Sequence, residues 1–252
     1  MEVLPVLYQD DYLVAVDKPS GLLVHRSPID RHETRFALQL VRDQVGRRVY
    51  PVHRLDKPTS GVLLFALDPE TAAALSRQFV EHSVEKHYLA VVRGFCPEAG
   101  VIDHAIQDKP DSIADRRRSQ PRPAQEAQTR FRCLATVELP HAVDRYPQSR
   151  YSLVHLQPLQ GRRHQLRRHM KHIGHPIIGD AKYGKGVHNR FFRDQYLSDR
   201  LLLACTGMSL RHPVSGEPLR LAAGLDATFT RLIRTFGWEN AAGQRPLPEL
   251  PA

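Results

Sequence analysis

The chain has 252 residues, of which 41% are hydrophobic, and it carries a formal net charge of +9. This length can bury the core of one large domain or two small ones, and no apolar run approaches the roughly 18 residues of a membrane span. The three cysteines are far apart and the N-terminus has no signal-peptide pattern, so the sequence indicates a reducing cytoplasm rather than a disulfide scaffold, a zinc knuckle or secretion.

Six apolar, β-rich runs predict strands, and three amphipathic segments between them predict helices. In chain order, the strands are predicted at 12–16, 61–67, 87–94, 130–139, 151–158 and 200–210. The helices are predicted at about 34–45, from Asp68 to about 82, and at roughly 162–173. Asp68 is a good N-cap and Pro69 a good first helical residue. Because the elements mix without a regular βαβ rhythm, the fold class is predicted as α+β.

One domain is predicted over residues 1–238. The segment 97–127 is rich in Pro, Asp, Arg and Gln and has little periodicity, so it is predicted to be a loop-rich excursion. The tail 239–252 has no packing pattern and is predicted to be disordered.

The positive charge suggests a polyanionic partner, because Lys and Arg neutralise phosphates. Arginines cluster in two places, at 116–118 and within GRRHQLRRHMKHIGH at 161–175. The first cluster, Arg116, Arg117 and Arg118, is flanked by loop-forming residues. For both clusters a solvated basic surface remains the alternative to a nucleic-acid interface.

The stretch HRLDKPTSG places Asp56 between Arg54 and Lys57, just before an apolar run that reads as a buried strand. A loop that leads into such a strand is a rigid base for a reactive carboxylate. The alternative is that Asp56 forms a turn, with its carboxylate bonding nearby backbone N–H groups. The stretch by itself is compatible with both roles.

Two further stretches contain residues that could form a site. In EKHYLAVVRG, Tyr88 opens a strand and is either a core residue or a stacking platform for an extruded base. In QGRRHQLRRHMKHIGHPIIGD, helical spacing puts Arg163 with Arg167 and His164 with Arg168. Arg167 follows the apolar Leu166, so it should emerge near the core boundary and need a carboxylate partner.

Metal and nucleotide cofactors are not predicted. HEXXH is absent, His169 and His172 have no acidic ligand at motif spacing, and neither GxxxxGK[ST] nor GxGxxG occurs.

Together these stretches resemble the RluA family of pseudouridine synthases. HRLDKPTSGVLLFA, EKHYLAVVRG and GRRHQLRRHMKHIGHPIIGD are similar to its three motifs in the same order, and DDYLVAVDKPSGLLVH is similar to its N-terminal strand and loop. The resemblance runs from about residue 7 to 220. No separate S4-type RNA-binding domain is expected.

The resemblance implies that a uridine in RNA is converted to pseudouridine by exchange of its C1′–N1 bond for a C1′–C5 bond. It implies one catalytic domain, with a mixed, mostly antiparallel sheet flanked by helices and loops and an RNA cleft across the middle. Asp56 takes the catalytic place, supported by Arg54, Tyr88, Leu166 and Arg167, with Arg167 paired to Asp56. RNA is expected to contact Arg116, Arg117, Arg118, Arg162, Arg163, Arg168 and Lys171. No cofactor and no metal are expected, and the default expectation is a monomer.

Further stretches, including VHRSPIDRHE (24–33), resemble a branch of the family that modifies uridine 65 in the lower arm of tRNA. Large-subunit rRNA is the alternative substrate. Two different kinds of protein also compete with a synthase: an RNA-binding protein that keeps the fold without catalysis, and a glycoside hydrolase. A hydrolase would use paired carboxylates, whereas Asp56 stands alone among cations in the sequence.

Overall fold

The computed structural model describes residues 3–26, 32–107 and 123–243, so Arg116, Arg117 and Arg118 lie outside the described residues. The described part contains ten strands and six helices. The strands are β1 Val6–Gln9, β2 Leu13–Lys18, β3 Tyr50–Pro51, β4 Ser60–Ala66, β5 Glu85–Arg93, β6 Ala99–Asp103, β7 Gln128–Leu139, β8 Ser149–Pro158, β9 Leu203–Arg211 and β10 Pro218–Ala222. The helices are α1 Ala37–Val45, α2 Pro69–Val80, α3 Gln165–His172, α4 Gly186–Tyr196, α5 Ala227–Thr235 and α6 Glu239–Gly243.

All ten strands join one mixed sheet. Its order is β1-β2-β4-β9-β5-β8-β7-β6, with β10 paired to β9 and β3 paired to β4. The β4–β9 pair is parallel and the remaining pairs between these strands are antiparallel. The predicted α+β class, with one domain built on a mostly antiparallel sheet, is confirmed.

The core lies on both faces of the sheet because side chains alternate along each strand. From β4, Val62 packs in the same cluster as Leu75 of α2 and Leu166 of α3. The next residue, Leu63, packs on the opposite face with Val41 of α1. Helices α4 and α5 join another cluster with residues of β5 and β8. Within the part of the chain that the structure describes, no helix has the length and apolar content to cross a bilayer.

The helix predicted from Asp68 is confirmed at its N-terminus. The Asp68 Oδ1 atom accepts a hydrogen bond from the Thr71 backbone N–H at 2.8 Å, and Pro69 is the first helical residue. Helix α1 begins at Ala37, three residues later than predicted from about residue 34, and ends at Val45, followed by the C-cap residue Gly46, whose φ is +75°.

Two predictions of irregular structure were wrong in part. The excursion 97–127 includes β6, whose backbone pairs with β7 from Ala99 to Asp103 although its side chains show no alternation. The tail predicted to be disordered from 239 begins with α6, because Ala241 and Ala242 pack against the cluster that contains the buried Trp238. Residues 244–252 lie outside the described residues.

Gly61 pairs with Cys205 at the junction of β4 and β9. Its φ is +109°, and a Cβ atom on it would lie 2.0 Å from the Cys205 carbonyl oxygen. Both the backbone conformation and the space therefore require glycine at this position.

We expect Gly61→Ala to lower the free energy of unfolding by on the order of 3 kcal/mol or more, because β4 and β9 must separate to admit the methyl group. Gly46→Ala is the matched control, since Gly46 also has a positive φ but open space around its Cβ position. The control should lose only about 1–2 kcal/mol from backbone strain. Urea unfolding of both variants measures the difference, and equal losses would contradict the steric argument.

Candidate active site

A cleft of about 660 Å³ opens beside the junction of β4 and β9. The two strands pair at only two positions, Ser60 with Ala204 and Gly61 with Cys205. The cleft walls come from the loop 52–59, the C-terminal end of α2, the start of β5 and the start of α3. A volume of this size suits a ligand such as a single nucleotide.

The loop that carries Asp56 is fixed by a second loop with a similar sequence, DKPSG at 17–21. The Lys18 ammonium is fully buried and donates to three carbonyl oxygens, including that of Lys57 at 3.2 Å. The Ser20 hydroxyl donates to the carbonyl of Pro58 at 2.7 Å. These bonds hold the backbone on the C-terminal side of Asp56, so its carboxylate is presented from a rigid turn.

Burial lowers the pKa of Lys18 to about 7, and the nearby Arg200 adds to this effect. The carbonyl dipoles around the Lys18 ammonium are therefore its principal compensation for the loss of water.

Arg167 joins two carboxylates. Its Nη1 atom donates to Asp56 Oδ2 at 3.0 Å, and its Nε and Nη2 atoms donate to the two oxygens of Asp180 at 2.7 and 2.9 Å. The Asp180 side chain is fully buried, whereas that of Asp56 is 23% exposed and faces the cleft. The predicted contact between Arg167 and Asp56 is thus present. The bidentate pair with Asp180 fixes the guanidinium plane and so the direction of the third bond.

Asp180 was not identified from the sequence. Burial alone would raise the pKa of its carboxyl group, but the hydrogen bonds from Arg167 and from the backbone N–H groups of Tyr183 and Lys182 bring this pKa below the ordinary value. Burial likewise opposes the Arg167 charge, yet the bonds to Asp180 and Asp56 keep the pKa of Arg167 above its usual range. The Asp180–Arg167 pair is therefore an ion pair at neutral pH.

His164 also faces Asp56 and was predicted only as part of a helical stripe. Its backbone is left-handed, with φ +55°, and its Nε2 atom lies 3.8 Å from Asp56 Oδ2. The Nδ1 atom lies 3.0 Å from the Tyr183 hydroxyl. Burial lowers the pKa of His164 to about 4, with Asp56 opposing this shift, so the imidazole is neutral at neutral pH.

Tyr88 lines the same cleft from β5 and is 9% exposed. Burial raises the pKa of its phenol well above the ordinary value, and the neighbouring Cys205 and Asp56 act in the same direction. The hydroxyl is therefore neutral, and it can donate one hydrogen bond and accept another.

The structure brings together most of the predicted supporting residues. Arg54, Leu166 and Arg162 line the cleft with Asp56 and Tyr88, and Arg54 is exposed at the rim. By contrast, the helix predicted from about 162 begins at Gln165, whose Oε1 atom accepts from the Arg162 backbone N–H at 3.0 Å.

Arg163 and His164 therefore precede α3, and the predicted cationic stripes were wrong. Arg163, Arg168 and Lys171 do not line the cleft; Arg168 donates to the Gln107 carbonyl at 2.7 Å, and Lys171 is exposed. Among the residues that the structure describes, no group of three or more His, Cys, Asp or Glu side chains is arranged to hold a metal ion.

A family model described as RNA pseudouridylate synthase matches residues 12–172, which include Asp56, Tyr88 and Arg167. Curated relatives named tRNA pseudouridine synthase C resemble the chain over nearly its whole length. The Vibrio cholerae protein is 48% identical over 239 residues, covering 95% of this chain and 98% of the relative. The Yersinia pestis protein is 48% identical over 249 residues, covering 99% and 97%.

Two solved human structures have the same fold. "Human RNA Pseudouridylate Synthase Domain Containing 4" gives a TM-score of 0.70 at 25% identity and covers 92% of this chain and 93% of that one. "Human RNA Pseudouridylate Synthase Domain Containing 1" gives a TM-score of 0.68 at 25% identity, with coverages of 100% and 98%.

Proposed function

Because this chain belongs to the RluA family of RNA pseudouridine synthases and is an enzyme of that activity, we propose that its substrate is tRNA and its target is uridine 65. The names of relatives 48% identical over nearly the full chain support tRNA. The resemblance of residues 24–33 to the branch that modifies uridine 65 supports the position. We further propose that the enzyme acts as a monomer and without a cofactor.

The observation that carries the mechanism is the contact of Asp56 with Arg167 at the wall of the cleft, 3.0 Å long. The reaction breaks the C1′–N1 bond of uridine and forms a C1′–C5 bond, with the same atoms in substrate and product. Asp56 serves as the carboxylate that attacks C1′ or C6, or as the base that removes the C2′ proton. In all three routes Arg167 orients Asp56 and balances its charge.

The target base must leave the RNA stack before it reaches Asp56, at a cost of a few kcal/mol. Arg54, exposed at the cleft rim, fills the vacated space or holds a phosphate. Tyr88 stacks on the extruded uracil, which contributes about 1–3 kcal/mol, and Leu166 packs beside it. The Tyr88 hydroxyl takes part in proton transfer at C5.

We expect Tyr88→Phe to bind RNA like the wild type but to form pseudouridine about 100-fold more slowly, because the ring stays and the proton-transfer group is lost. Tyr88→Leu should weaken binding as well, since it also removes the stacking surface. Single-turnover rates and dissociation constants for both variants separate the two roles. A wild-type rate for Tyr88→Phe would exclude the hydroxyl from the reaction.

Basic residues at and around the cleft are proposed to bind the phosphates on either side of the target. Arg162 lies at the cleft, while Arg163 and Arg168 are half-buried and Lys171 is exposed on α3. Arg116, Arg117 and Arg118, which lie outside the described residues, are also proposed to bind phosphates. Binding through several phosphates should weaken steeply as salt increases.

The test of the proposed function uses unmodified tRNA labelled with tritium at uridine C5. Pseudouridine formation replaces the C5 proton, so tritium release by the protein alone, with nothing else added, supports the synthase reaction. Release from large-subunit rRNA but not from tRNA would contradict the proposed substrate. No release from either RNA, with RNA binding retained, would contradict catalysis and favour the binding protein.

A further inference from the structure

Lys86 is a cation of the cleft that has no role in the mechanism proposed for Asp56, Arg167 and Tyr88. It precedes Tyr88 by two residues on β5, so the two side chains share one face of the strand. Both line the cleft, and Lys86 is only 7% exposed. A lysine this buried is rare in proteins unless its ammonium is paired.

In the part of the chain that the structure describes, the Lys86 ammonium has no carboxylate partner and no hydrogen bond. The Cys205 thiol is the titratable group that raises the pKa of Lys86, and Lys86 in turn lowers the pKa of His53. The His53 ring is neutral, because burial and Lys86 lower its pKa to about 3, and its Nε2 atom accepts from the Leu64 backbone N–H at 2.9 Å. Burial lowers the pKa of Lys86, and its neighbours supply little compensation.

The other cations that line the cleft either already bond to groups of the protein or are exposed to solvent. Arg167 uses its Nε, Nη1 and Nη2 atoms on Asp56 and Asp180. Arg54 is exposed at the rim, and the Nε atom of Arg162 donates to the Glu126 carbonyl at 3.1 Å. Lys86 is therefore a cation that stands inside the cleft in a desolvated position, where a charge acts more strongly than it does in water.

We propose that Lys86 is a catalytic residue whose Nζ atom donates to a carbonyl oxygen of the extruded uracil and stabilises the negative charge that the base acquires during the exchange. This proposal rests on the proposed function. In this proposal, a carbonyl oxygen of the uracil is the hydrogen-bond partner that the Lys86 ammonium lacks among the described residues of the protein.

The charge arises in each of the three routes. When the C1′–N1 bond breaks, its electron pair goes to the uracil and is shared by N1 and the two carbonyl oxygens. Addition of Asp56 to C6 first moves the C5–C6 electron pair toward the O4 oxygen. After rotation of the base, C5 supplies the electron pair of the new C1′–C5 bond, the C5 proton leaves, and N1 takes up a proton. A cation beside a carbonyl oxygen lowers the barrier in every case.

The test is the single-turnover rate at saturating enzyme on an RNA from which the wild type releases tritium. Lys86→Met keeps the length of the side chain and removes the charge, so the rate should fall by about 10²–10³-fold. The dissociation constant for RNA should stay within about threefold of wild type. Lys86→Arg keeps a charge and should be faster than Lys86→Met.

Folding is checked on the same samples. Removal of an unpaired buried charge should leave the melting temperature of Lys86→Met equal to that of the wild type or raise it. Lys185→Met is the matched control on an exposed lysine that pairs with Asp144 outside the cleft, and it should have a wild-type rate at saturating enzyme. A Lys86→Met rate within twofold of wild type, equal rates for the Met and Arg variants, or a rate loss accompanied by a lower melting temperature would each overturn the proposal. Failure of the wild type to release tritium from any RNA would instead count against the proposed function.

Discussion

Asp56→Asn is expected to abolish pseudouridine formation, with a rate loss on the order of 10⁴-fold or more, while the protein still binds RNA. Asparagine is nearly isosteric with aspartate but can act neither as the attacking carboxylate nor as the base. The side chain is 23% exposed at the cleft wall, so the substitution should not disturb the core. Binding should be retained, because the loss of a negative charge does not disfavour contact with phosphates.

The measurement compares tritium release and RNA dissociation constants for Asp56→Asn and a control, Asp194→Asn. Asp194 is an exposed residue of α4 that pairs with the neighbouring Arg193. The control should match the wild type in both measurements. Pseudouridine formation by Asp56→Asn at more than about one hundredth of the wild-type rate would exclude Asp56 as the reacting group.

Arg167→Lys is expected to slow the reaction by about 100-fold and to weaken RNA binding much less. A lysine ammonium keeps the charge but cannot bond both oxygens of Asp180 and also reach Asp56 in a fixed direction. The guanidinium makes these three bonds at 2.7, 2.9 and 3.0 Å. A displacement of the Asp56 carboxylate by about 1 Å is enough for a loss of this size.

Arg168→Lys is the matched control for Arg167→Lys, because Arg168 is the next residue of α3 and lies outside the cleft. It should show a nearly unchanged rate at saturating RNA. Turnover by Arg167→Lys at the wild-type rate would show that the orientation of Asp56 by Arg167 does not matter for catalysis.

Local signals made part of the fold predictable. Helix α2 follows from Asp68, Pro69 and the apolar spacing after them, and all of these act within a few residues. Helix α5, which was not predicted, has a comparable signal: Asp226 caps its N-terminus, and Phe229 and Ile233 are buried at helical spacing. Strand β6 has no such signal, since it forms through pairing of its backbone with β7.

The candidate site was predictable only where residues stand in recognisable motifs. The contact between Asp56 and Arg167, 111 positions apart, was inferred because the resemblance puts both in one site. The role of Asp180 as a partner of Arg167 was not inferred. A buried arginine needs a carboxylate partner, but the sequence does not say which carboxylate that is. The sequence also contains no sign that Lys86 lacks a partner among the described residues, because pairing depends on which side chains the fold brings together.

The central claim is that the enzyme converts uridine 65 of tRNA to pseudouridine with Asp56 as the reacting group. Carbodiimide modification followed by primer extension tests this claim most directly. Unmodified tRNA is incubated with the wild type or with Asp56→Asn, and each uridine is then examined for a stop. We expect one strong stop that reports position 65 with the wild type and none with Asp56→Asn. A stop elsewhere, or the same stop with both proteins, would contradict the claim.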